Sequence, residues 1–353
     1  VLFRSRSGMA TSADFISWRG DLEFWQDGFH VVDNLILSCI SYVEMDGVFT
    51  EDAPEVMSLQ EISARQCKDG VDLSAFREGS VLKDAPLLLQ SVAETKRYRN
   101  VRVRHYVSKT EADRTLQFAA MEFLLPDGTS YVAFRGTDDS IVGWKEDFLL
   151  AISEVEAEKE AVAYVECVAK ESARPLRIGG HSKGGHLAVY AGAKCGKQVR
   201  ERILSIYSND GPGFMKKLAG SKAMQDIAPK VVRILPEDSI VGMLMEPIGK
   251  PIVVKSTANA LSQHNLATWC VGTGNLDTVR DVSKVAKFID KTITKNIAKM
   301  TPEEIEGVVE NLFSVFSAGG ALTLTDLANA DWKSVQAISK KAGEIIKTQR
   351  KDG

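Results

Sequence analysis

A surplus of positive charge, paired cysteines, a membrane-length apolar run and an export signal are all missing from this sequence of 353 residues. Lysine and arginine number 44 against 47 aspartate and glutamate, a net charge of -3. That balance lacks the basic footprint of a nucleic-acid-binding protein, so no nucleic-acid partner is expected. The five cysteines (Cys39, Cys67, Cys167, Cys195 and Cys270) are scattered and form no C-x-x-C pair, which argues against a disulfide framework or a zinc site. No apolar run is long enough to span a bilayer. No basic segment followed by an apolar stretch opens the chain, so a cytoplasmic location is expected. The residues before Met9 read as a non-native remnant and are set outside the fold. The order G-x-x-x-x-G-K-[ST] of a phosphate loop is missing too, as are internal repeats and low-complexity tracts.

What the chain does contain is Gly180-His181-Ser182-Lys183-Gly184, between the apolar run Leu176–Ile178 and the helix-like segment 185–191. A serine on a sharp strand-to-helix turn sits in strained backbone with its hydroxyl raised above the sheet. Side chains two positions away on either side would collide there, hence the two glycines. The start of the following helix also supplies backbone N–H groups where an oxyanion could form. Ser182 is therefore the candidate nucleophile. The bland alternative is a glycine-rich turn with a buried serine.

At 44% hydrophobic residues, the chain can bury a full core. The patterning predicts helices over 33–42, 56–67 and 87–98, then period-two strands over 101–107, 116–124 and 131–134, with Pro126-Asp127-Gly128 turning between the last two. A helix over 155–170 leads to the strand 176–178 and the elbow helix running to about Cys195. Strand 203–207, a helix over 216–227, and strands 231–235, 251–254 and 268–271 follow. Strands alternating with helices predict an α/β protein with a mostly parallel sheet covered on both faces and function at the carboxyl ends of the strands. The domain is expected to span 30–275, with a helical extension over 276–353. Its first helix carries Val279, Val282, Ala286, Ile289, Ile293 and Ile297 on one face. The second starts at a capping box, Thr301-Pro302-Glu303-Glu304, and the third runs from about Trp332 to Lys347. These stretches alternate basic, acidic, basic. That suits helices packed on one another, or peripheral membrane contact by the basic pair.

A serine hydroxyl needs a histidine to take its proton and a carboxylate to orient that histidine. His264 is the one histidine well downstream of Ser182, in a loop between late strands, and is the candidate base. His181, just before the serine, is expected to point to the other side as a packing or hydrogen-bonding residue. His186, one turn into the elbow helix, is expected to face the sheet or a neighbouring helix, while His30 and His105 come too early. For the acid, Asp238 is preferred because it directly follows strand 231–235. Asp210, after the preceding strand, is the alternative acid, with a turn aspartate as its bland reading, and Glu237 is a third option. The oxyanion donors are expected to be the N–H of Lys183 and the N–H or hydroxyl of Thr137 in Phe134-Arg135-Gly136-Thr137.

Together these residues resemble the class 3 (fungal-type) lipases of the α/β-hydrolase superfamily. They resemble more closely a bacterial lipase-like family of unassigned function. The likeness rests on Phe134–Thr137, Trp144 with Asp147, Gly180–Gly185, Asp238 and His264. For the bacterial family it rests also on the stretches 33–38, 208–214 and 236–242, so it covers roughly 30–275. The resemblance implies an α/β-hydrolase fold, donation to the oxyanion by Thr137, and Asp147 steadying that loop. It departs at Lys183, where such lipases carry an apolar residue, and a cation at the mouth would suit anionic or polar-headed esters. The interval from Asp238 to His264 is also short for a lid-forming insertion. The expectation is a serine hydrolase of lipid-like or small acyl esters that needs no cofactor and no metal. A silent fold used for binding, or a thioesterase, peptidase or acyltransferase on the same triad, are the alternatives.

Overall fold

The computed structural model of the protein describes residues 9–66, 73, 74, 76, 79–111, 116–137 and 156–290. The period-two segments form one sheet whose strands lie side by side in chain order. They are β1 (Met57–Ser58), β2 (Arg102–Glu111), β3 (Leu116–Leu124), β4 (Ser130–Phe134), β5 (Leu176–His181), β6 (Ile203–Asn209), β7 (Val231–Pro236), β8 (Pro251–Val254) and β9 (Thr278–Val279). Strands β4 to β8 are parallel, while β1 to β4 and the β8–β9 edge are antiparallel. A turn with Gly128 at a φ of 86° joins β3 to β4.

Side chains alternate between the faces of a strand, and here both faces are covered. Tyr131 and Ala133 of β4 enter one core, Val132 and Phe134 the other. The first core is closed by α1 (Ser12–Arg19), α2 (Val31–Ile40), α3 (Leu59–Gln66) and α4 (Val81–Ala93). The second is closed by α5 (Glu156–Glu171) and α6 (Lys183–Lys194). Helices on both sides of a largely parallel sheet, with a strand–turn–helix elbow after β5, make this the α/β-hydrolase fold.

Several features differ from the sequence expectation, among them the helix over 216–227, which is two short helices, Lys216–Ala219 and Lys222–Ile227. Helix α4 begins at Val81, where the Ser80 hydroxyl accepts the Leu82 N–H at 3.2 Å, and it runs through Pro86 instead of starting after it. It stops at Ala93, which frees Arg97 and Tyr98 to turn back onto Asp33. The strand expected over 268–271 is a pair of isolated bridges preceded by short 3-10 turns. Local hydrogen bonds of Asn265 and Thr268 side chains to nearby backbone compete with a ladder there, and β9 forms later instead.

The packed unit also extends past both ends of 30–275. Phe15 and Ile16 of α1 enter the first core, and Val271 donates its N–H to the Ala10 carbonyl. Beyond 275, Val282 and Ala286 pack on Leu235 and Val253 around the helix Lys284–Ile289. The rest of that expected helix, and the two after it, lie outside the described residues. Among the described residues no helix is long and apolar enough to cross a membrane.

Candidate active site

Ser182 joins β5 to α6 with φ of 57° and ψ of -127°, the strained turn that its flanking glycines anticipate. A Cβ on Gly184 would run into the Phe134 carbonyl, and one on Gly180 into the Gly184 backbone. Only hydrogen fits at those two positions. The turn is pinned by the Ser182 N–H donating to the Asn209 carbonyl at 2.9 Å, and the serine is buried.

His264 lies 3.0 Å from the Ser182 Oγ through Nε2, and its Nδ1 lies 2.7 Å from Oδ2 of Asp210. An ionised carboxylate only accepts, so Nδ1 carries the proton and the Nε2 lone pair faces the serine. The carboxylate beside His264 is therefore Asp210, not the preferred Asp238. Strand β6 runs on to Asn209, two residues beyond its expected end, and carries Asp210 to the edge next to the elbow. Asp210 sits at a φ of 51° and donates its N–H to the Ile234 carbonyl. Its Oδ1 accepts from the Ser239 hydroxyl at 2.5 Å and the Gly242 N–H at 3.0 Å, which leaves Oδ2 to the imidazole. Arg233 holds that loop through the Gly242 carbonyl at 2.6 Å. Burial draws its guanidinium down to about 10, against the opposing pull of Asp210.

Asp238 instead faces the side chain of Gln263, the neighbour of His264, with its N–H at 2.9 Å and its carboxylate at 3.0 Å. It braces the loop without reaching the ring. Glu237 is engaged through its backbone, with the Val254 carbonyl and the Ser283 N–H. A Cβ on the following Gly211 would lie 2.9 Å from the Ser182 carbonyl, so the Asp210 turn is built against the elbow.

The segment Arg135-Gly136-Thr137 closes on the serine from β4. A Cβ at Gly136 would lie 3.2 Å from that of Ser182, and Thr137 is buried. Arg135 fastens this segment to the end of α2, donating to the carbonyls of Ser41 at 2.6 Å and Val43 at 3.0 Å and pairing with Glu44. Lys183 corrects an expectation. Its side chain is buried and its ammonium donates to the Gln117 carbonyl of β3 at 2.8 Å, so the cation staples α6 to the sheet. A preference for anionic esters loses its carrier. Asp147 and Trp144 lie outside the described residues.

Sequence reasoning missed the role of α2. Asn34 and Ser38 are one turn apart on a helix that is otherwise apolar after Asp33, and Tyr42 follows another turn on. Asn34 and Asn209 exchange amide hydrogen bonds at 2.9 and 3.0 Å. The Asn209 amide also donates to Ser38 at 3.1 Å and to the Gly180 carbonyl at 3.0 Å, tying the helix to both strands of the site. The Tyr42 hydroxyl meets Nδ1 of His181 at 2.7 Å, and His181 Nε2 meets the His264 carbonyl at 2.7 Å. The polar four-residue spacing within an apolar helix was the available signal.

The remaining histidines are engaged elsewhere. His186 is held between Glu158 at 2.8 Å and the Gly213 carbonyl at 3.1 Å. His30 pairs with Asp27, and His105 with Glu122 and Glu171. Among the described residues, no cluster of histidine, cysteine and carboxylate side chains could hold a metal ion.

No curated protein matches the sequence. Solved structures similar to this chain include a fungal lipase–inhibitor complex, at 15% identity and a TM-score of 0.38, covering 85% of this chain and 98% of that one. The Rhizomucor miehei lipase propeptide complex shows 15% identity and a TM-score of 0.39, covering 83% and 82%. Lipase II from Rhizopus niveus shows 13% identity and a TM-score of 0.37, covering 76% and 88%. The Mbeg1-like family model matches residues 92–314, more than half of the chain and the whole of the described site from β4 to His264, and the chain belongs to the Mbeg1-like family.

Proposed function

We propose that the protein is a serine hydrolase of carboxylic acyl esters, lipid-like or small, working through an acyl-enzyme. The observation that carries this reading is the unbroken contact chain from Asp210 through His264 to Ser182, at 2.7 and 3.0 Å. Ser182 Oγ attacks the ester carbonyl carbon as its proton passes to Nε2 of His264. Asp210 keeps the ring oriented and offsets the positive charge that the ring then holds. The oxyanion is met by the N–H of Lys183 and by Thr137; one such donor is worth about 100- to 1,000-fold in turnover. Collapse of the tetrahedral intermediate expels the alcohol, which takes the proton back from His264. Water, deprotonated by the same ring, then frees the acid and restores the serine. Every proton is returned and no cofactor takes part.

The test uses a fluorophosphonate probe together with p-nitrophenyl esters of increasing chain length. Parent protein should label and hydrolyse, and Ser182→Ala should do neither. Asp210→Asn should lower kcat by about 10,000-fold, the cost of losing the orienting carboxylate of a triad. Asp238→Asn, which alters a brace one residue from the base, should cost far less. An unlabelled parent protein would point to a silent hydrolase fold. A dead Asp238 variant beside an active Asp210 variant would overturn the assignment of the acid.

A further inference from the structure

We infer that Tyr42 and His181 are positioning residues, which act on the reaction by holding the backbone of His264. The base sits on a loop of short 3-10 turns between β8 and β9, with little regular structure to hold it. Loops of that kind move readily, yet a general base must stay within hydrogen-bond reach of its proton donor. His181 answers this from the neighbouring strand. As the last residue of β5 it is fixed by the sheet, and its ring turns away from the elbow helix toward α2.

The protonation pattern follows from the partners. The His264 carbonyl can only accept, so Nε2 of His181 carries the hydrogen, and Nδ1 then accepts from the Tyr42 hydroxyl. The two rings lie 4.5 Å apart between centroids, with Trp269 edge-on at 6.4 Å. Burial, followed by the nearby His264, pushes His181 well below its ordinary value and so favours the neutral form that this pattern requires. Trp269 donates its indole N–H to the Gln263 carbonyl at 2.7 Å, so consecutive carbonyls of the base loop are both held. Tyr42 thus sets the tautomer of His181, and that tautomer sets the seat of His264. Their role presupposes the hydrolysis proposed above, but the seat itself can be observed without turnover.

The test compares Tyr42→Phe, His181→Asn and His181→Gln in the full chain. Glutamine can present an N–H near the Nε2 position, whereas asparagine is too short to do so. Tyr42→Phe and His181→Asn should lower kcat on a p-nitrophenyl ester by about 10- to 100-fold with KM unchanged, as expected when a reacting group drifts by a fraction of its contact distance. His181→Gln should restore most of the loss. Nitrogen-15 NMR of the imidazoles should show the protonation midpoint of His264 and its Nδ1–H resonance displaced in the first two variants, and near parental in the glutamine variant. Parental kcat and parental His264 signals in Tyr42→Phe, the mildest change, would overturn the assignment. Equal losses in the asparagine and glutamine variants would also overturn it, since packing alone would explain them. If the parent protein hydrolyses nothing, the hydrolase reading falls while the NMR comparison still decides the positioning role.

Discussion

Ser182 and Asp210 both hold positive φ, 57° and 51°, at the carboxyl ends of adjacent parallel strands. Such backbone costs a side-chain-bearing residue about 1–3 kcal/mol and persists only where its surroundings enforce it. Asparagine and aspartate tolerate that region better than serine does, so the strain is concentrated at Ser182. Ser182→Gly should therefore melt at a higher temperature than Ser182→Ala, with about 1 kcal/mol between them in denaturant titration, while neither variant labels. Equal stabilities would mean that the elbow carries no strain. The contact of Ser182 with His264 was legible in the sequence because glycine spacing and the order of histidines are local signals. The acid was not, because Asp210 and Asp238 each follow a parallel strand. What separates them is which strand borders the elbow, a fact of sheet order rather than of spacing.

At the scale of elements, α2 does more than cover a face of the sheet. Through Asn34 and Ser38 it touches the acid-bearing strand, and through Tyr42 just beyond its end it reaches the base loop by way of His181. The carbonyls of Ser41 and Val43, in the turn that ends it, hold Arg135 two residues from Thr137. The helix is anchored at its own start by Asp33, which takes two bonds from Arg97 at 2.9 and 2.7 Å and one from Tyr98 at 2.5 Å. Arg97 is fully buried and lies 4.2 Å from the centre of the Phe24 ring. Arg97→Met would leave the Asp33 carboxylate buried beside Tyr98 without its cation, and should cost about 3–5 kcal/mol in chemical denaturation. A loss below 1 kcal/mol would show that the pair is dispensable. The helix was visible in its apolar run, but its anchor was hidden by misplacing α4. Carrying that helix on to Tyr98, where it ends at Ala93, put Arg97 and Tyr98 inside it, where they could not have turned toward Asp33.

For the whole molecule, the alternation of strands and helices correctly implied a sheet covered on both faces, and β4 realises it residue by residue between the two cores. The edges were less legible. Short strands such as β1 and β9 are two residues each and pair only because tertiary packing brings them together, so no local period marks them. The same distinction governs function. Thr137, Ser182, Asp210 and His264 arrive on separate loops, from β4, β5, β6 and the stretch after β8, yet all four loops lean on one helix and the turn that ends it. The site is therefore assembled as a unit and should be lost as one. Partial opening of α2 would scatter the base, the acid strand and the oxyanion segment together while much of the sheet stayed intact. In a urea series, hydrolysis should then vanish before ellipticity does, and amide exchange within 34–42 should mark the concentration at which it goes.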